Sequence, residues 1–386
     1  PGPLQREPCC ESGDAWYFRV GFAFEQTQLV LAAKEDGTAE GAALGKWTRG
    51  ASEAGTELAP QAALGETTGA ALQLIRGIQR LIGRFTSRLP QQLVLPGSPG
   101  EQSQSLSGEE PAHPVLQVFI SPEVPYQTLA GFVKGSHGLH RTSPGHYERL
   151  ACLLLLQVCM GLEHLQVQNV GQGDLSPENL LLVQCPCPPQ RQPSKEASLR
   201  LSLPRLLFSS FFKVKDRQRS CPTSPEQDGP EGLAALSSPG ADELKVGVLI
   251  YQILHVDISL EKALGFSSNR LPEIPSLSIY STGLKRLAML LLHRDPCKRV
   301  SIEQARSILQ VLLWGPRQEL FARSKKTLPL LRSWVEVKRA LLLLKFAENS
   351  ARAVGSPSLE EWLCCQYFKD VTEHVLFQVT QALYAP

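Results

Sequence analysis

The sequence predicts an α+β protein of two lobes, a small β-rich lobe and then a large helical one, with a further helical module at the C-terminus. Three observations carry that prediction. Trp16, Phe18, Val20, Phe22 and Phe24 alternate with Tyr17, Arg19, Gly21 and Ala23, the period of two that lays one face of a strand on a core. "HYERLACLLLLQVCMGLEHLQ", residues 146–166, is apolar almost all round, so it belongs in the middle of a helical domain. Beyond Trp314, two stretches carry apolar residues on two helical faces each.

The elements follow in order. After the strand at 16–24 comes a second, "TQLVLAAK", then a helical pattern from about Ala70 to Phe85, a strand near "QQLVL" and a strand over Val115–Ile120. Past Pro125 the character turns helical. Three stretches, 96–114, 185–198 and 216–241, mix Pro, Gly, Ser and charge without a period and read as irregular. These features divide the chain into an N-terminal flank (1–13), a small lobe (14–125), a large lobe (126–314) and a C-terminal module (315–386).

Composition excludes several classes. Thirty-nine basic against 37 acidic residues give no electrostatic case for nucleic acid or an anionic membrane. Continuous apolar runs fall short of the ~20 residues that cross a bilayer, so no membrane insertion is expected. Ten cysteines form no C-x-x-C pair, which argues against zinc and for reduced, structural thiols in a cytoplasmic setting. Opening on Pro1, the chain reads as a fragment.

The chemistry-bearing motif is "GQGDLSPENLLLV", residues 171–183. Asp174 and Asn179 stand five apart, as the base-position aspartate and metal-binding asparagine do in a protein kinase. Over residues 14–313 the chain resembles a protein kinase domain. "DELKVGVLIYQIL" from Asp242 is similar to the helix that anchors the family's large lobe. "LLLHRDPCKRVSIEQA" is similar to its closing helices, with Asp295, Pro296 and Arg299 matching. "GPE" at 229–231 stands where the family has A-P-E, and the resemblance implies that Glu231 pairs with Arg299.

Phosphoryl transfer needs glycine amides over the phosphates, a lysine held by a helix glutamate, and a metal-binding aspartate. Between the first two strands only Gly21 is present, among bulky aromatics. Lys34 in "VLAAK" fits the phosphate-gripping lysine or, equally, a solvated strand-end lysine; "ALQLIRGIQRLIGRF" has no acidic residue to hold it, and Glu66 lies a turn ahead. From Leu180 to Lys215 there is no aspartate at all, and Leu203, Pro204 and Arg205 fall near the D-F-G place. Gln172, Gly173 and Ser176 also depart from the pattern. One lost electrostatic element commonly costs a hundredfold or more in rate, so catalysis and cofactor binding are not expected. Lys34, Asp174 and Asn179 are then vestiges, the last two holding a turn by bonding its amides.

In the C-terminal module, Leu330, Trp334, Val337, Leu341 and Leu344 share one helical face, and Leu331, Val335, Leu342 and Phe346 a second. "LEEWLCCQYFKDVTEHVLFQVTQALY" puts Leu359, Leu363, Val371 and Val375 on one stripe, and Cys364, Phe368, Val379 and Leu383 on another. A helix apolar on two faces needs two coverings. A degenerate kinase domain followed by such helices resembles the PEAK family of pseudokinases, and within it the shortest member. That resemblance implies dimerisation with itself or relatives, here through Leu341, Leu344, Ala347, Leu363, Cys364 and Phe368. It also implies scaffolding of SH2/SH3 adaptors such as the Crk and Grb families, with effects on the actin cytoskeleton and cell motility. Arg217 and Pro222 around Ser220 form a phosphoserine pattern of the 14-3-3 kind. The rival reading is a weak or atypical nucleotide-binding kinase.

Overall fold

The structure, a computed structural model, describes residues 2–3, 7–13, 15–21, 28–35, 83–88, 115–167, 170–172, 175–184, 203–209, 214–216, 241–259, 263, 271–318, 327–351 and 358–384. They fall in two units. The first takes Pro1–Phe132, His164–Gln184 and Leu206–Pro222; the second takes Val133–Glu163, Cys185–Arg205 and Thr223–Pro386.

The first unit is built on a six-stranded antiparallel sheet. Its strands are β1 (Gly2–Pro3), β2 (Cys10–Glu11), β3 (Trp16–Gly21), β4 (Gln28–Glu35), β5 (Gly83–Arg88) and β6 (Val115–Ser121). They run in the order β1-β3-β4-β6-β5, with β2 also pairing β3. The alternation in β3 predicts one buried face, but Tyr17, Phe18 and Val20 are all buried, so this strand is covered on both sides. The helix expected over 70–85 is corrected at its end: residues 83–85 lie in β5, which pairs with β6 from Gly83↔Ile120 to Arg88↔Val115. A six-residue ladder, started at a glycine that a helix tolerates poorly, overrides the apolar spacing. The rest of that helix, the strand near "QQLVL", and Phe22 and Phe24 lie outside the described residues. Shorter strands follow: β7 (Pro125–Thr128), β8 (Val170–Gln172), β9 (Leu180–Val183), β10 (Arg205–Phe208) and β11 (Val214–Asp216). They form a three-stranded sheet, β10-β9-β7, and a β11-β8 pair.

Helices carry the second unit. Short α1 (Leu129–Gly135) and α2 (His137–Thr142) lead into α3 (Pro144–Val167), and α4 (Ala241–Ile253), α5 (Ile279–Leu291) and α6 (Ile302–Trp314) follow. Taken whole, α3 is long and apolar enough to cross a bilayer, which counting continuous runs had missed. Its apolar window is however 72% buried inside the protein, as befits a core helix. Its polar residues are met: Gln157 Nε2 donates to Pro204 O at 3.1 Å, and Glu163 takes Arg306 of α6 at 2.8 Å. Ser278 and Ser301 close capping boxes at the starts of α5 and α6, which satisfies amides that the helices leave open.

The C-terminal module comprises α7 (Thr327–Ala351), α8 (Leu359–Asp370) and α9 (Glu373–Tyr384). The stretch read as one continuous helix over 359–384 is broken at Val371–Thr372. Arg339 of α7 is the reason on one side, donating to Phe368 O at 2.7 Å and Val371 O at 2.8 Å and so taking the last carbonyls of α8. On the other side the Thr372 hydroxyl accepts the Val375 N–H and opens α9.

Gly283 of α5 allows the closest helix approach in this unit among the described glycines: a Cβ there would fall 2.1 Å from Leu312 Cδ2 of α6. Overpacking costs ~1–3 kcal/mol, while alanine gains ~1 kcal/mol of helix propensity. Gly283→Ala is therefore expected to lower the chemical denaturation midpoint. An unchanged or higher midpoint would mean that Leu312 steps aside.

Candidate functional site

The kinase-like loop lies in the first unit. Its turn ends at Asn179, whose N–H donates to Ser176 O at 3.0 Å, while Pro177 O takes the Ala130 N–H at 2.9 Å. Asn179 is buried, and its carbonyl accepts the Ser209 N–H at 3.2 Å. Asp174 lies outside the described residues, as do Glu66, Glu231 and Ser220. Lys34 stands one residue from the end of β4, opposite Gln117 of β6.

Two placements differ from the sequence reading. The turn Ser12–Ala15, between β2 and β3, comes down on Asn179, a contact the sequence reading did not include; the loop after Gly21, where the glycine-rich loop was expected, lies outside the described residues. Gly13 N–H donates to Glu178 O at 3.4 Å, and a Cβ on Gly13 would stand 3.0 Å from Asn179 Oδ1. The turn is tied to itself: Ser12 N–H donates to Ala15 O at 2.8 Å, and Ala15 N–H to Ser12 Oγ at 3.0 Å.

The second correction concerns the missing metal ligand. Arg205, read as falling near the D-F-G place, opens β10 and is buried there. The residue that the strand delivers beside Asn179 is Ser209. Its hydroxyl meets the Tyr17 hydroxyl at 3.1 Å, inside the unit. A serine in a hydroxyl pair brings no charge to hold magnesium, and no aspartate stands between Leu180 and Lys215.

Tyr17 of β3 and Phe119 of β6 pack with Leu181 and Val183 of β9, Leu207 of β10, Cys10 and Ala15. Tyr17, Leu181 and Leu207 are fully buried. Strand β3 thus packs directly on β9, the strand that follows Asn179. Burial pushes the Cys10 thiol up to about 12, helped by Cys9 and Glu11, so it is no nucleophile. Burial likewise raises Cys9, against the charge of Arg19. Sequence reasoning missed Tyr17, Gly13 and Ser209, because an off-face tyrosine, a flank glycine and a serine in a run of serines carry no one-dimensional signal.

Elsewhere, Asp242 is buried in the first turn of α4. Arg299 donates to His293 O from Nε at 3.3 Å and Nη2 at 3.1 Å. Of the residues expected at a dimer surface, Leu341, Leu344 and Ala347 are exposed and Cys364 is half-buried. Leu363 and Phe368 are instead buried within the chain, Phe368 beside Tyr367 and Trp334.

A kinase-like fold that carries no aspartate between Leu180 and Lys215, where the family's metal ligand stands, defines a pseudokinase. No protein-family model matches the chain. It is 33% identical over 98% of its length to the inactive tyrosine-protein kinase PRAG1 of Rattus norvegicus, and 39% identical over 73% to the inactive tyrosine-protein kinase PEAK1 of Homo sapiens. It spans 29% of the length of that PRAG1 and 17% of that PEAK1. The crystal structure of the pseudokinase PEAK1 matches 99% of the chain and 88% of its own, at 32% identity and a TM-score of 0.71. The chain belongs to this family, the PEAK and PRAG1 pseudokinases, whose members named here are inactive tyrosine-protein kinases.

Titration with ATP and magnesium is therefore expected to leave the melting temperature unchanged. A site filled at a hundred times its dissociation constant would add ~2.7 kcal/mol. Saturable stabilisation, lost in Asn179→Ala, would show that Gly13 and Tyr17 yield to the nucleotide.

Proposed function

We propose that the chain is a non-catalytic scaffold that pairs, through α7 and the groove beside it, with a second copy or a related pseudokinase. In that role it holds SH2/SH3 adaptors of the Crk and Grb kind in cytoplasmic signalling to the actin cytoskeleton and cell motility. One observation supports the pairing above others: α7 buries Leu331 and Val335 but leaves Val337, Leu341, Leu343 and Leu344 open, at 54–70% exposure. Four large apolar side chains on one helix are more than a surface usually shows without a partner.

Beside them runs a groove of about 510 Å³, with Trp314, Trp334, Leu342 and Phe368 among its walls. Lys338 stands 5.6 Å from the Trp334 ring, and Lys345 is paired with Glu361 at 2.6 Å, so the rim is charged while the floor is apolar. That is the arrangement of an interface core and rim. The family gives the adaptor and cytoskeletal reading its support, and a 14-3-3 protein at phosphorylated Ser220 fits the same role.

Leu341→Asp and Leu344→Asp place charge on the open stripe and leave the buried one intact. Light scattering is expected to show the wild-type chain as a dimer and the variants as monomers, with melting temperatures nearly unchanged. Equal masses for all three would remove the pairing.

A further inference from the structure

The second unit encloses a row of titratable side chains that the closed kinase site does not involve. His140 of α2 lies with Nε2 3.0 Å from Glu148 Oε1 of α3, and with Nδ1 3.0 Å from Nδ1 of His255, just past α4. His255 in turn sets its Nε2 2.8 Å from Val133 O. His140 is buried and the Glu148 side chain wholly so.

Counting protons along this row leaves one to be found. A carbonyl oxygen only accepts, so His255 Nε2 carries a hydrogen. Glu148 Oε2 already accepts the Ser281 N–H at 2.9 Å and the Ser278 hydroxyl, two donors that favour the ionised carboxylate. His140 Nε2 then carries a hydrogen as well. If both rings were neutral, the two inner Nδ1 atoms would face each other as bare lone pairs at hydrogen-bonding distance. Two acceptors repel; a proton between them turns the contact into a charge-assisted bond.

We propose that His140 is held as an imidazolium against Glu148 and donates its Nδ1–H to His255, so that one buried proton clasps α2 to the turn after α4. The backbone of His255 fits the same reading, since it is the one non-glycine with positive φ among the described residues, at 60°. Such a conformation persists where surrounding bonds fix the residue. Both ring nitrogens of His255 are so fixed.

The groups facing the pair set the sign of its pH response. His137 of α2 meets His255 edge-on at 4.8 Å, and Tyr147 of α3 lies 4.8 Å from His140 and 5.3 Å from His255. The Tyr147 hydroxyl donates to Ile253 O at 2.8 Å, and burial keeps it protonated far above neutrality. Ser278, at the N-cap of α5, and Ser281, in its first turn, face Glu148 and are uncharged. Burial, and then the charges of His140 and His137, push His255 below the usual histidine range against the Val133 bond, so His255 remains the acceptor. A second proton on His255 is resisted, so stability falls as pH drops from about 6.5 through that lowered value.

The test uses the full chain labelled with ¹⁵N, reading imidazole proton–nitrogen correlations at pH 7, with and without EDTA. Expected are two protonated nitrogens on His140, one on His255, and no effect of EDTA. A His140 ring with one bare nitrogen would overturn the proposal, and so would an EDTA-dependent spectrum, which would put a metal ion between the rings. Melting temperature against pH adds a second readout. His255→Asn keeps a residue that accepts positive φ and should flatten a wild-type curve that falls on the acid side of neutrality. A variant curve of the same shape would also sink the clasp, and if the variant does not fold, the wild-type spectrum decides alone.

Discussion

Helix α3 has almost no side to offer water: from Tyr147 to Cys159 only Arg149 is not buried. Each leucine from Leu153 to Leu156 gains ~1.5–3 kcal/mol by leaving water, and only a shell of other helices supplies that burial from every direction. The few polar groups on α3 then set how neighbours attach. Glu163 fixes Arg306 of α6, Gln157 reaches the chain before β10, and Arg149 meets Glu360 at the start of α8. The C-terminal helices are thus tied to the helical core as well as to each other, with Arg286 of α5 reaching Ala382 O of α9 at 3.4 Å.

The first unit solves a different problem with the same means. A phosphotransferase keeps an open, polar cavity and accepts the cost of holding charges and bare amides there. Here the amide of Gly13 donates to Glu178, the Ser209 hydroxyl next to Asn179 meets that of Tyr17, and Tyr17 packs with Leu181 and Leu207. Each of these contacts stabilises the unliganded fold. The loop around Asn179 persists because it holds its own turn and the end of β10, which are structural tasks.

Helix α7 divides its two apolar faces unequally. Leu331 and Val335, near its start, are buried; Leu341, Leu343 and Leu344, further along, are not. Arg339 lies between these regions and binds the end of α8, so the helix is anchored at the point where its covered part gives way to its open part.

Much of the fold was legible in residues 16–20, 115–120, 146–166 and 242–254, because strong periodicity and unbroken apolarity leave a strand or a core helix few alternatives. The kinase kinship and the loss of its chemistry were legible too, since a missing aspartate is a fact of composition between Leu180 and Lys215. Local pattern did not reveal that Gly83–Phe85 would join a ladder with β6, or that Arg339 would help to end α8 at Asp370, because both depend on partners distant in sequence. For the same reason the closed site was hidden: Tyr17 lies 192 positions from Ser209. By itself the sequence determined the core helix, the main strands and the missing aspartate; only the tertiary structure decided that Tyr17 meets Ser209 and packs with Leu181 and Leu207, because packing joins residues that periodicity cannot relate.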